Sequence, residues 1–194
     1  MVHDHQVVDG AIGHEELSLA VVDDATRGDG REDEVGIILR PALVVIAGYL
    51  QGKEADDEYG DDASRFFNLI SGYSDPPIWN KFIVAPLNLR EKIIELIDRE
   101  IELAKKGEDA YIIAKMNSLL DKKVIAKLYE ASTAGVHIAL IVRGICTLRP
   151  GIAGVSDNIT VRSIVGRFLE HHRLFYFRNG GYESLYLSSS DWMP

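Results

Sequence analysis

Residues 82–142 read FIVAPLNLREKIIELIDREIELAKKGEDAYIIAKMNSLLDKKVIAKLYEASTAGVHIALIV, and this stretch decides the fold. It opens on Phe82-Ile83-Val84-Ala85, a short apolar strand closed by Pro86. Asn88 then starts a helix, with Glu91 three residues on as in a capping box, and Ile93, Ile97 and Ile101 fall on one face. Lys105, Lys106 and Gly107 end that helix: the cations complement the negative end of its dipole and the glycine accepts a left-handed backbone. The unit then repeats, as strand 110–115, Asp121 as N-cap, helix 122–134 with Val124, Leu128 and Ala131 spaced for burial, Gly135 as stop, and strand 137–142. Strands alternating with helices over short links predict right-handed crossovers and a parallel sheet core.

Toward the C-terminus, a Gly/Pro loop over 148–158 gives way to three strand patterns, 163–169, 174–177 and 185–187. The last two are joined by Asn179-Gly180-Gly181, a hairpin signal, so the sheet is expected to be mixed: an α/β fold with flanking helices. Toward the N-terminus, a helix is expected over 61–71 with Gly72 as its stop, then the Pro76-Pro77 connector and a boundary near Lys81. The apolar segment 36–50 is broken at Pro41 and reads equally as two short strands or as a strand and a helix. Residues 23–34 form a turn-rich, acid-rich run without periodicity, so the first fifty-odd residues are expected to be disordered or loosely packed.

Composition narrows the function. The chain has 194 residues, 46% of them apolar, enough for a substantial core. Its one cysteine, Cys146, rules out an internal disulfide, a cysteine-based zinc site and a CxxC redox module, and is expected to be simply small and buried. The longest apolar stretch, 35–50, is interrupted by Arg40 and Pro41 and is too short to span a bilayer; with no export signal, a cytoplasmic setting is expected. The net charge of −9 is uneven: residues 1–75 hold 5 Lys+Arg and 17 Asp+Glu, residues 76–194 hold 16 and 13, giving −12 and +3. An acidic whole argues against nucleic acid as partner, whereas the basic second part suits small phosphorylated ligands held by a few arginines.

Walker A, GxGxxG, GxSxG and HExxH signatures do not occur, so phosphate binding must come from side chains. The informative run is Glu170-His171-His172-Arg173, at the entry to the hairpin. In an extended chain His171 and Arg173 share a face, placing an imidazole beside a guanidinium. Phosphoryl chemistry needs that combination, a proton-transfer group next to fixed positive charge. Arg143 follows the strand 137–142, at the end where open α/β sheets bind ligands, and is expected to face the same hollow. A solvated turn is the plain alternative for both. Ser188-Ser189-Ser190-Asp191 reads as a capping segment, His137 as a core-edge residue, His3, His5 and His14 lack the spacing of a metal site, and the acidic run 54–62 lacks calcium-loop spacing.

The segments Phe82 to Arg90, Lys115-Met116-Asn117-Ser118-Leu119-Leu120-Asp121, Ile141-Val142-Arg143-Gly144-Ile145-Cys146 and Val161 through His171 (VRSIVGRFLEH) closely resemble bacterial polyphosphate kinase. The resemblance extends to Tyr59-Gly60-Asp61-Asp62 and Leu69-Ile70-Ser71-Gly72-Tyr73. It implies three regions: an unmatched acidic segment 1–57, the tail of a first catalytic domain at 58–80, and a second, phospholipase D-like catalytic domain at 81–194, incomplete at its C-terminal end. It implies reversible transfer of the terminal phosphoryl of ATP onto inorganic polyphosphate through a phosphohistidine, with magnesium. Arg143 matches a position contacting nucleotide phosphates, and His171 a second active-site histidine that binds ATP and donates a proton. Arg173 as a phosphate ligand rests only on the strand-face argument. His171-x-Arg173 with Ser189-Ser190-Asp191 also looks like a phospholipase D half-site with Arg for its Lys.

The family's phosphohistidine lies in a His-Ala-Lys segment that does not occur in these 194 residues, nor do its magnesium-holding arginines. The expectation is therefore a partial polyphosphate kinase, inactive alone, with ATP, ADP and polyphosphate as partners and a homo-oligomer as one arrangement. Two other readings stand beside it: a non-catalytic anion-binding or oligomerisation module, and a phosphodiesterase with His171 as nucleophile.

Overall fold

The computed structural model describes residues 57–72 and 78–194, together with the backbone of Ser18–Asp23. The strands are β1 (Ser18–Asp23), β2 (Phe82–Ala85), β3 (Tyr111–Met116), β4 (His137–Val142), β5 (Ile159–Arg162), β6 (Arg173–Phe177) and β7 (Ser184–Ser188). The helices are α1 (Asp57–Ile70), α2 (Leu89–Lys105) and α3 (Lys122–Thr133). The described strands form one seven-stranded sheet in the order β2-β1-β7-β6-β3-β4-β5. Strands β3, β4 and β5 are parallel, and every pairing from β3 back through β6, β7 and β1 to β2 is antiparallel. Strands β2 and β7 therefore run in the direction of β3. The residues that follow β2, β3, β4, β5 and β7, and those that precede β6, all emerge at one edge.

Helix α2 forms because Ile93, Leu96, Ile97 and Ile101 recur at helical spacing and bury completely or nearly so. Each contributes roughly 1.5–3 kcal/mol of burial. Gly107 ends the helix with φ 80°. The expected capping box is not made: Asn88 Oδ1 instead accepts the Val84 N–H at 2.7 Å and ties the helix start to β2. Helix α3 is capped as its sequence predicts, Asp121 Oδ1 accepting from the N–H groups of Lys123 and Val124 at 2.8 and 3.0 Å.

Alternation sorts the sheet into faces. Ile112, Ala114 and Met116 of β3, Ile138, Leu140 and Val142 of β4, and Phe175 and Phe177 of β6 are buried in one core with α2 and α3. Helix α1 joins the other face at β2, where Ala63 packs against Phe82 and Val84. Its Asp62 carboxylate, fully buried, accepts the N–H groups of Asn80, Lys81 and Phe82 at 2.9, 2.7 and 2.8 Å.

The mixed α/β sheet with flanking helices is as expected. The pairings differ in three places. Strands β2 and β3 run the same way but are separated by β1, β7 and β6, so of the two expected strand–helix–strand units only β3–α3–β4 joins sheet neighbours. The strand expected at 163–169 lies earlier, at Ile159–Arg162, and 163–172 is irregular: Ile164, Val165, Phe168 and Leu169 do not alternate, and the last three are among the most exposed apolar side chains described. Finally, Ser18–Asp23, inside the segment expected to be unstructured, pairs with both β2 and β7. The segments 23–34 and 36–50 lie, beyond Asp23, outside the described residues.

Candidate functional site

Three loops at the common edge are laced together by backbone hydrogen bonds. Leu119, fully buried, donates to Ile145 O at 2.9 Å and accepts from Thr147 N at 3.0 Å, while Leu120 and Asp121 both donate to Trp192 O at 3.0 Å. Gly144 N–H donates to Asn117 O at 2.8 Å, and a Cβ at Gly144 would stand 2.9 Å from that same oxygen, so the approach requires glycine here. Asp121 is held below the usual carboxylate range: burial opposes ionisation, but the Val124 N–H, the Arg90 guanidinium and the Lys123 N–H together outweigh it.

Arg143 follows β4 in this braced region and is half-buried. It borders a hollow of about 410 Å³ lined otherwise by residues 164–169, Arg167 among them. Arg173 opens β6 on the helix-bearing face and is 8% exposed. Its Nε and Nη2 donate to Asp191 Oδ1 and Oδ2 at 3.1 and 3.0 Å, a bidentate pair, and its Nη1 donates to the backbone carbonyl of His171 at 3.0 Å. Asp191 Oδ1 also accepts the Asn117 N–H at 2.7 Å. Arg173 and Asp191 border a different cavity, of about 390 Å³, beside Arg90, Asp121 and Trp192.

His171 is exposed and sits between two anchored neighbours. On the C-terminal side is the Arg173–Asp191 pair. On the other, Glu170 meets Lys115 Nζ at 2.8 Å on the sheet face away from α2 and α3, and that lysine holds the Glu170 carboxyl below its ordinary range. The Arg173 guanidinium first, then burial, then Arg143, depress the His171 imidazole below the ordinary histidine value, with Asp191 opposing.

The structure thus brings Arg143, His171 and Arg173 within electrostatic reach of one another, and corrects their expected arrangement. The two arginines border separate hollows and His171 lines neither. Arg173 gives three of its five N–H donors to Asp191 and the His171 carbonyl, so it is an engaged guanidinium rather than a free one. Ser189-Ser190-Asp191 does not cap a described helix: Ser188 Oγ accepts Ser190 N–H at 2.9 Å, and Asp191 is the arginine's partner. Cys146 is half-buried and His137 exposed. The roles of Asp191, Asn117, Lys115 and Glu170 were not foreseen. Reading the hairpin outward from Gly180 and Gly181 places Arg173 opposite Ser188, which brings Asp191 near enough to pair.

Magnesium does not fit the residues present. Among the described residues, no group of three or more His, Cys, Asp or Glu side chains is placed to hold a metal. At the edge, the carboxylates of Asp121 and Asp191 are each paired with an arginine, and that of Glu170 with Lys115.

A mixed sheet with helices on its faces, and a histidine and an arginine presented by loops at its strand ends, defines an α/β protein with a cationic strand-end edge. The profile of the polyphosphate kinase C-terminal domain 2 matches residues 82–194. Polyphosphate kinase of Halalkalibacterium halodurans is 59% identical over 139 residues, which cover 72% of this chain and 20% of that protein. That of Lactiplantibacillus plantarum is 55% identical over 139 residues, covering 72% and 19%. The crystal structure of polyphosphate kinase from Porphyromonas gingivalis superimposes with a TM-score of 0.68 at 46% identity, over 72% of this chain and 21% of that one. The chain belongs to the polyphosphate kinase family, and it spans about one fifth of the length of these curated relatives. Among the described residues, no helix is long and apolar enough to cross a membrane.

Proposed function

We propose that this chain carries one part of a phosphoryl-transfer site that works on ATP and inorganic polyphosphate, the reaction being reversible transfer of the terminal phosphoryl of ATP to the polyphosphate chain. One observation supports it above the others: an exposed imidazole, His171, braced on both sides and subject to the charges of Arg143 and Arg173. Arg143 neutralises charge on the non-bridging oxygens. His171, neutral before the ligand arrives, gains a proton as phosphate charge offsets the arginines, and that proton is then available to the leaving oxygen. The covalent step belongs to a phosphohistidine that these 194 residues do not include. The phosphodiesterase reading is the weaker one, because the guanidinium that would stand for its lysine is held in an ion pair with Asp191. We place the protein in the cytoplasm, with ATP, ADP and polyphosphate as partners.

The test uses the purified 194-residue chain. It should bind tripolyphosphate by calorimetry, with affinity falling about tenfold in Arg143→Ala, the loss expected of one charge-assisted contact. It should form no polyphosphate from ATP. Robust synthesis refutes the partial-site reading, and equal affinity of the Arg143→Ala variant removes that arginine from the site.

A further inference from the structure

Asp191, Arg173 and His171 form a linear chain of contacts. The carboxylate is fixed from two directions, by the bidentate guanidinium and by the Asn117 N–H at 2.7 Å. Asn117 in turn accepts the Gly144 N–H, next to Arg143, so the carboxylate is referenced to the loop that carries the other proposed phosphate contact. The guanidinium then reaches past its partner to the carbonyl of His171. Side-chain exposures of 9% for Arg173 and 11% for Asp191 take this ion pair out of the range where solvent makes such pairs negligible.

We infer that Asp191 and Arg173 are positioning residues for His171, locking the peptide that carries the imidazole to the loop that carries Arg143, and that neither touches the phosphates. The inference rests on the reading of His171 as a phosphate-facing group. The chemistry explains why arginine stands at 173. A planar fork presents two parallel donors to the carboxylate and a third to the carbonyl in one plane, whereas a lysine ammonium is a point charge that cannot hold both at those separations. The second brace, Lys115 to Glu170, lies on the opposite sheet face, so the peptide of His171 is held from both faces of the sheet.

The positioning and direct-ligand roles predict opposite signs. If Arg173 were a phosphate ligand, Asp191→Asn would release it from its carboxylate and strengthen anion binding, and Arg173→Lys would retain most of the affinity. As a positioning pair, both variants should weaken tripolyphosphate binding about tenfold, the size of loss that follows removal of an orienting partner. The His171 imidazole signal, assigned by its disappearance in His171→Asn, should broaden or split in ligand-free Arg173→Lys, although the charge at 173 is unchanged. Asp191→Asn binding as tightly as the parent or tighter overturns the inference. So does a His171 signal in Arg173→Lys that titrates and resonates as in the parent. If Asp191→Asn does not fold, as judged by circular dichroism, Asp191→Glu takes its place, with weaker binding expected from a carboxylate one methylene out of register. The two readings fail separately: parent-like affinity in both Arg143→Ala and His171→Asn refutes the phosphate site, while the ligand-free His171 signal still decides whether Arg173 positions it.

Discussion

Replacing Gly144 by alanine perturbs the edge at its tightest backbone approach. The new Cβ would lie 2.9 Å from Asn117 O, roughly half an ångström inside ordinary contact, and that oxygen is the acceptor of the Gly144 N–H at 2.8 Å. Nothing flexible stands in the way, so relief requires the two loops to part. Parting them weakens the hydrogen bond, about 1 kcal/mol, and adds overpacking strain of about 1–3 kcal/mol, giving a total of about 2–4 kcal/mol. For a domain of this size that corresponds to roughly 6–15 °C in Tm. Urea denaturation followed by tryptophan fluorescence measures it, because buried Trp192 accepts from Leu120 and Asp121 in the same braced region. Gly166→Ala is the control: open space surrounds a Cβ there and its φ is not positive, so its effect should stay within about 0.5 kcal/mol. Tripolyphosphate affinity should fall in the Gly144 variant and not in the control, since only the former displaces Arg143. A loss of stability below about 0.5 kcal/mol in Gly144→Ala would refute the close approach as a constraint.

Asp62→Ala leaves three backbone N–H groups at the start of β2 without their acceptor, and should cost about 3 kcal/mol or more in urea denaturation; less than about 1 kcal/mol refutes its role in joining α1 to the sheet. Glu100 is fully buried, and burial raises its pKa above the ordinary 4.5 despite N–H groups from Asn179 and Tyr111. Because the folded value lies above the unfolded one, its contribution is fully present below 4.5 and is lost as pH rises through the folded value. Glu100→Gln should therefore gain stability relative to the parent as pH rises above 4.5, and a difference that stays constant as pH rises refutes the shift. His171 is depressed in the free protein by Arg173, burial and Arg143, so tripolyphosphate should raise it and bind with proton uptake at neutral pH. Affinity then falls as pH rises through the bound value; calorimetry in buffers of different ionisation enthalpy reads the uptake, and a value of zero refutes the coupling.

Local structure between 82 and 142 was legible because each signal there is short-range. The period of Ile93, Ile97 and Ile101, the Asp121 cap and the glycine stops act within a few residues, and β4 falls on His137–Val142 as read. Strand order was not legible, since the side-chain pattern of β2 and β3 fixes which face is buried but not which strand lies beside which. Asn88 illustrates a competition at one residue: its side chain could cap α2 or accept from Val84, and the turn after β2 decided for the latter. The run 163–172 misled because apolar content was read as a strand without alternation to support it. At the candidate site, Arg143 was singled out from its place after β4, and His171 and Arg173 from i, i+2 geometry, which says nothing of their partners. Asp191, the partner of Arg173, is 18 residues away, and only the hairpin register brings them together.

The site groups differ in how firmly the fold holds them, and that difference constrains how phosphates can enter. Arg173, Asp191, Asn117 and Gly144 are fixed by ion pairs and backbone bonds before any ligand arrives, so the separation between the His171 peptide and the Arg143 loop costs no ordering on binding. The segment between them is the opposite: Val165, Phe168 and Leu169 are 90%, 80% and 71% exposed, and with Arg143 they border the 410 Å³ hollow. A polyanion cannot satisfy those apolar side chains, yet they border the hollow of the arginine that would receive it. On the proposed reading, charge recognition falls to the cations of this edge, Arg143 with Arg167 of the same hollow, and to the imidazole, while the apolar side chains contribute little beyond access. On this division, removing a phenyl group by Phe168→Ala should leave tripolyphosphate affinity within about twofold while Arg143→Ala lowers it about tenfold. Equal losses in calorimetry would mean that the hollow itself, rather than the braced edge, defines the site.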